Sequence, residues 1–364
     1  MAGLRAVLVV AGQPATDRWL RQVAARWAAT GIGVTWLAGH ADGLPSDETV
    51  DGVRVLRTRG SVAWRACALV GGHDAVLVRH PGPGSRMLSR VAPVVHLVTE
   101  SPAGRWRPRG SVVVRSPAER RALRADLGLR QPIFVVPQAL SAAPAAQRRS
   151  AVPCFAVSGL SGDATVRDSG DAAPLDEAWV LVSTAGPATW DATVVEAARR
   201  GLPCIARPGS ALADVIVDGV TGWLADDVDA RLAPALADLA DPVVAAWMAE
   251  HCRAMAARLG VERGADLLAG VLQASTTAAG HCRRRARPDL STVVGCPLPT
   301  GGLALRATDE VWTDGDRAVA LLHGCDEVDA RIALARQGIT PTFVRLATAT
   351  DLLVGPALTT HHIG

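Results

Sequence analysis

Residues 196–224 read EAARRGLPCIARPGSALADVIVDGVTGWL. Val194, Val195, Ala198 and Leu202 recur at helical spacing and form one apolar stripe. Gly201 stands where a helix takes its C-terminal cap, since glycine enters the left-handed backbone region without steric cost. Pro203 opens a short buried-type strand, Cys204–Ala206, which Gly209 ends. A second helix and an Asp-Gly/Thr-Gly turn then lead into a last strand. Such an order of elements fits a βαβ unit in a doubly wound parallel sheet.

The same alternation runs upstream. Strands are expected at Ala6–Val10, Val34–Leu37, Val53–Leu56, Ala75–Val78, Val94–Val98, Val112–Val114 and Ile133–Val136. Between the first two, Thr16 or Asp17 caps a helix whose buried face is Leu20, Val23, Ala24 and Trp27, ended by Gly31. Ser116-Pro117-Ala118-Glu119 is a capping box with proline at the first helical position, so a helix runs from there to about Leu127. The tail has strand-like pieces at Leu303–Arg306, Ala318–Leu322 and Phe343–Leu346. An Asp326-capped helix lies between the last two, with Val328, Ile332 and Ala335 on one face.

A chain of 364 residues, 49% hydrophobic and 20% charged, is long and apolar enough for about two packed domains. A net charge of +3 argues against a nucleic-acid partner, and the one dense basic run, His281–Arg287, reads as a solvated linker. No apolar stretch approaches the ~18–20 residues of a membrane span, and the N-terminus lacks a signal-peptide pattern. A cytoplasmic location is therefore expected, with peripheral membrane contact left open.

The chain has no Lys, Asn or Tyr, and all 38 basic residues are Arg. This excludes a Walker A loop, a pyridoxal Schiff base, tyrosine acid–base chemistry and N-glycosylation. Seven cysteines without CxxC spacing give neither a disulfide framework nor a zinc site, and read as buried reduced thiols. His361-His362 reads as a frayed polar end rather than a metal site.

Residues 196–224, with DGVRVLR (51–57), SPAERRALRADLGL (116–129), FVVPQAL (134–140) and GVERGADLL (260–268), resemble in order the retaining GT-B-fold glycosyltransferases of family 4, over about three quarters of the chain. The resemblance implies an α/β, GT-B-like fold of two Rossmann-like doubly wound domains facing a cleft. It places the acceptor-side domain at 1–140, a linker at 141–152 and a shortened donor-nucleotide domain at 153–275. A linker and small α+β appendage at 276–364 have no counterpart. Only about 25 residues separate the strands Phe155–Val157 and Val180–Ser183, where the family fits extra units, so a donor sheet of about four strands is expected.

The implied activity is transfer of a sugar, with retention, from a UDP- or GDP-sugar to a carbohydrate, lipid or small-molecule acceptor, without a cofactor or metal. Phosphates sit well at helix N-termini, where free N–H groups and the dipole favour anions. Trp190, Asp191, Ala192, Thr193 and Val194 lead into the helix and are expected to meet sugar and diphosphate. Glu196, matching the family's glutamate, is expected to hold the ribose. A glutamate near a helix start also serves simply to complement the dipole, and a loop aspartate such as Asp191 to cap.

Other family positions are altered. The family's second acidic residue falls on Ala188, its Arg and Lys on Gly159 and Ala164, and its N-terminal histidine on Thr99, while His96 reads as a packed strand residue. Gln13-Pro14-Ala15 replaces the Gly-Gly turn after the first strand. Each charge-assisted contact is worth about 1.5–3 kcal/mol, so losing two cations and a carboxylate costs on the order of a thousandfold in transition-state binding. Arg79, Arg115 and Arg207 are the candidates to restore part of it. The second reading is a catalytically impaired relative that binds a sugar nucleotide or a protein partner.

Overall fold

The structure, a computed structural model, describes residues 4–79, 85–99, 108–127, 131–139, 150–151, 153–158, 175–185, 190–281, 290–299, 302–306 and 308–356. By packing, the chain divides into two units. One comprises Met1–Val114, Leu123–Val136 and Gly264–Gly364, and the other Arg115–Ala122 and Pro137–Arg263.

The N-terminal elements are β1 (Ala6–Val10), α1 (Arg18–Ala29), β2 (Gly33–Gly39), β3 (Asp47–Val50), β4 (Val53–Thr58), α2 (Val62–Leu69), β5 (Ala75–Arg79), α3 (Ser85–Val91), β6 (Val94–Leu97), β7 (Ser111–Val114), α4 (Pro117–Leu127) and β8 (Ile133–Val135). They build an eight-stranded sheet in the order β3-β4-β2-β1-β5-β6-β7-β8. Every pairing is parallel except that of β3, which folds back on β4 through Asp51 and Gly52, both at positive φ. Its sequence, DETV, carries no apolar run, so this edge strand is not among the expected ones.

An all-apolar β1 suits a strand covered on both faces. Helices α2 and α3 cover the side carrying Leu8, Val10, Leu37, Val76 and Val78. Helix α1 buries Leu20, Val23, Ala24 and Trp27 as expected, with Asp17 accepting from the Leu20 amide at 3.2 Å. The expected capping box on α4 is half formed. Ser116 Oγ accepts from the Glu119 amide at 3.1 Å, but the Glu119 carboxylate turns one residue further, to the Arg115 amide at 2.7 Å and Nε at 2.8 Å. The Arg115 guanidinium offers a charged partner that the Ser116 amide cannot match.

The second unit holds β9 (Phe155–Ser158), β10 (Val180–Ser183), α5 (Ala192–Arg199), β11 (Cys204–Ala206), β12 (Gly222–Leu224), α6 (Val228–Ala240) and α7 (Pro242–Arg258). The four strands are parallel in the order β12-β11-β10-β9. Leu181, Cys204 and Ala206 face Val194 and Ala197 of α5. Val180, Val182, Ile205 and Trp223 face α6 and α7. The second helix expected after Gly209 is a single 3-10 turn, Ala211–Asp214. The Val215 and Ile216 amides still bond the Leu212 carbonyl, and the chain leaves the helical path at Val217, whose amide donates to Thr221 Oγ1 at 2.9 Å.

From Gly264 onward, α8 (Val261–His281) belongs with the first unit. The Trp27 indole donates to the Ala265 carbonyl at 3.0 Å, and Ser275 Oγ lies 3.0 Å from Ser111 Oγ. These bonds tie the helix to α1 and to β7 of the first sheet. The appendage follows as β13 (Ser291–Pro297), β14 (Glu310–Asp314), β15 (Arg317–His323), α9 (Glu327–Ala335), β16 (Phe343–Leu346) and α10 (Ala349–Val354). Its sheet is antiparallel, β14-β15-β13-β16.

Three expectations about the tail change. Leu303–Arg306 is not a strand, and Leu303 and Leu305 instead pack on the sheet's core. Strand β13, buried from Ser291 to Cys296, and its neighbour β14 were not expected. Helix α9 is capped by Asp326 but buries Ala330 and Leu334, leaving Val328 and Ile332 exposed. The sheet takes the helix face that matches its own core rather than the face with the largest side chains.

Helix α5 ends in a full Schellman pair, Leu202 N to Ala197 O and Gly201 N to Ala198 O, both 2.9 Å. Gly201 has φ +79°, and an added Cβ there would lie 2.9 Å from Ala249 Cβ and overlap the Arg253 guanidinium. Gly201→Ala is therefore expected to destabilise the protein by about 1–3 kcal/mol in urea unfolding. Gly209→Ala, which meets open space, is expected to stay within about 0.5 kcal/mol.

Candidate functional site

Because α5 joins parallel strands β10 and β11, its N-terminus lies at the sheet's C-terminal edge, where open α/β sheets bind ligands. Two serines end the neighbouring strands there. Ser158 and Ser183 are register partners, so their side chains share a face. Ser183 Oγ donates to Asp191 Oδ2 at 3.0 Å, and Asp191 Oδ1 accepts from the Thr193 amide at 3.0 Å. The Val194 amide donates to the Asp191 carbonyl at 3.2 Å. Asp191 is buried, at 7% exposure, and is the N-cap of the helix.

Trp190 is buried as well, its indole donating to the Gln138 carbonyl at 3.2 Å. Thr184 Oγ1 donates to the Ser158 carbonyl at 2.7 Å. Two side-chain atoms in this region, Ser158 Oγ and Gln138 Nε2, have no hydrogen-bond partner among the described residues. Their residues are only 2% and 9% exposed.

The expected donor-binding residues divide by environment. Val194 is a core side chain, so only its backbone reaches the helix start. Ala192 is exposed and Thr193 half-buried. Glu196 lies one turn on and is paired with Arg200, whose Nε and Nη2 both reach its Oε1, at 3.2 and 2.9 Å. Arg200 also pairs with Asp176. Among the described residues Glu196 Oε2 takes no hydrogen bond, so one oxygen of an oriented carboxylate is open to a hydroxyl donor.

Two of the three candidate arginines are committed elsewhere. Arg79 pairs with the buried carboxylate of Asp17, and Arg115 pairs with Glu119 at 2.5 Å. Arg207, directly after β11, is exposed and forms no ion pair among the described residues. Gly159, Ala164, Ala188, His361 and His362 lie outside the described residues, as do most of 141–152 and all of 282–289.

The first sheet reverses its strand order between β1 and β5, and the Asp17–Arg79 pair sits at that switch point. Gln13, where the sequence lacks the glycine turn, is held by Arg57 Nε at 2.9 Å and donates to the Gly39 carbonyl at 2.6 Å. His96 packs inside β6 as expected, and its Nε2 lies 3.0 Å from the Arg109 carbonyl. Thr99 is also buried. In the second unit, burial pushes the Cys204 thiol well up and that of Cys252 up to about 12, so both are protonated and unreactive near neutral pH.

No family model and no curated protein matches the sequence. Solved structures do match. A sucrose-phosphate synthase from Thermosynechococcus elongatus is similar at TM-score 0.58 and 16% identity, over 76% of this chain and 100% of that one. A glycosyltransferase from Rickettsia africae ESF-5 gives 0.57 and 10%, over 76% and 99%. Anabaena HepE, solved with UDP, gives 0.52 and 13%, over 74% and 100%. The fold is that of GT-B glycosyltransferases. Identities this low carry the fold and leave the chemistry to the residues.

Sequence reasoning missed Ser158, Ser183 and the Asp17–Arg79 pair. Its available signal was that FAVS and VLVS both close a strand on serine.

Burial lowers the His96 pKa, so the folded state holds this ring neutral where the unfolded chain protonates it. A depressed histidine pKa gives stability that is complete above about 6.5 and declines as pH falls below it, by at most about 1.4 kcal/mol per pH unit. Thermal melts at pH 7.5 and 5.5 are expected to show a larger loss for the wild type than for His96→Gln, whose amide keeps a donor for the Arg109 carbonyl.

Proposed function

We propose that the protein is a glycosyltransferase that takes a sugar from a nucleotide donor and passes it, with retention, to a carbohydrate, lipid or small-molecule acceptor. The reading includes the cytoplasmic location expected from the sequence. The observation that carries it is Glu196, held by Arg200 with one carboxylate oxygen unengaged, near the start of the helix at the strands' C-terminal edge. The GT-B fold, shared with a protein solved with UDP, supports the same assignment. Glu196 would accept from the ribose hydroxyls and Arg200 would position it. Trp190, Asp191 and Ala192 would lie on the sugar side, and the phosphates would lie between Arg207 and the backbone around Thr193.

A second reading, binding of a sugar nucleotide without turnover, is favoured by two observations. The Thr193 amide is already taken by Asp191, and Arg207 is the one candidate arginine without an ion pair among the described residues. Turnover separates the two readings. UDP- and GDP-sugars incubated with a mixed lipid and carbohydrate acceptor pool are expected to give product, whereas nucleotide binding with no product from any donor supports the second.

Calorimetry with UDP and GDP tests the site itself. Glu196→Ala is expected to weaken the preferred nucleotide by about tenfold or more, the worth of a charge-assisted hydrogen bond. Equal affinity in both proteins removes Glu196 from the site.

A further inference from the structure

We propose that Asp191 is a specificity-determining residue of the nucleotide site: its carboxylate fills the anion position at the start of α5, so a donor's diphosphate adds little to affinity there until that charge is removed. The inference rests on the nucleotide-sugar reading above and says which part of the donor the site resists.

A helix start attracts phosphate through unbonded amides and the positive end of its dipole. At α5 the Thr193 amide is given to Asp191 Oδ1, and the opposite carboxylate oxygen is fixed by Ser183. An arriving diphosphate therefore meets a like charge where it would otherwise find a donor. The repulsion is strong because Asp191 is buried, and water screens a buried charge poorly.

Ser158 indicates that the position still faces a ligand. The residue is 2% exposed, and its hydroxyl is buried and unpartnered among the described residues. By register it lies on the face of Ser183, the residue that holds Asp191. A buried hydroxyl without a partner is costly in a folded protein, and here it stands ready to donate to an oxygen placed beside the α5 start.

Asp191→Asn separates charge from capping. Asparagine caps a helix about as well as aspartate, and its carbonyl can still accept from Thr193. Ser183 Oγ can accept from the new amide as readily as it donated to the carboxylate. The fold is thus retained while one negative charge leaves the site.

The test is calorimetry with two pairs, uridine and UDP, guanosine and GDP, on the wild type, Asp191→Asn and Ser158→Ala. In the wild type the diphosphate of the preferred pair is expected to bind only a few-fold tighter than its nucleoside. Asp191→Asn is expected to tighten the diphosphate by about tenfold or more and leave the nucleoside unchanged. Ser158→Ala is expected to weaken the diphosphate by about two- to tenfold with no fall in melting temperature, since its hydroxyl bonds nothing among the described residues. An unchanged or weaker diphosphate in Asp191→Asn, with nucleoside binding intact, overturns the role of Asp191 and leaves the nucleotide reading standing. Unchanged diphosphate affinity in Ser158→Ala overturns the assignment of that hydroxyl. Binding of neither pair by any of the three proteins overturns both the inference and the reading beneath it.

Discussion

The two hydrogen bonds of the Asp191 carboxylate, from the Ser183 hydroxyl and the Thr193 amide, fasten a strand end to a helix start. Much of the second unit depends on that join. It fixes where α5 begins, hence which of its residues turn inward. Val194 and Ala197 then meet Leu181 and Cys204 in the core, while Glu196 and Arg200 stay outside and pair with each other. The same join decides the electrostatics of the sheet edge, because the group that completes the helix is itself an anion.

Composition explains why an anion stands there. The chain contains no Asn, one of the best neutral helix caps, so the role passes to Asp, Ser and Thr. Helices α1, α5, α6, α7 and α9 are all capped by Asp, at positions 17, 191, 227, 241 and 326. Each cap satisfies backbone donors and complements the helix dipole. On an outward-facing helix the charge has no further consequence. At the ligand-binding edge of a parallel sheet it competes with phosphate.

Packing imposes the other constraint. In a four-stranded sheet there is little width to absorb error, and two glycines keep its neighbours close. Gly222 lies so near the Cys204 carbonyl that no Cβ fits between β11 and β12, and Gly201 lets α5 turn back against α7. Burial on this scale also silences chemistry that the composition alone would allow, as the raised Cys204 and Cys252 thiols show.

Elements whose signal is local were legible in the sequence. The apolar runs at β1, β5 and β10, the Leu20-to-Trp27 face of α1, the Gly201 cap and the thin second sheet follow from periodicity and punctuation. DETV and STVVGCP were missed because an edge hairpin and an antiparallel strand are defined by what pairs with them. The face of α9 was misread for the same reason, since the sheet accepts Ala330 and Leu334 and leaves the β-branched Val328 and Ile332 in solvent. At the candidate site the sequence determined residue types, a glutamate on a helix and an aspartate before it. The Glu196–Arg200 pair follows from i,i+4 spacing on one helix, whereas only the tertiary structure decided the Ser183–Asp191 bond and the Asp17–Arg79 pair, because their members come from separate elements brought together by folding.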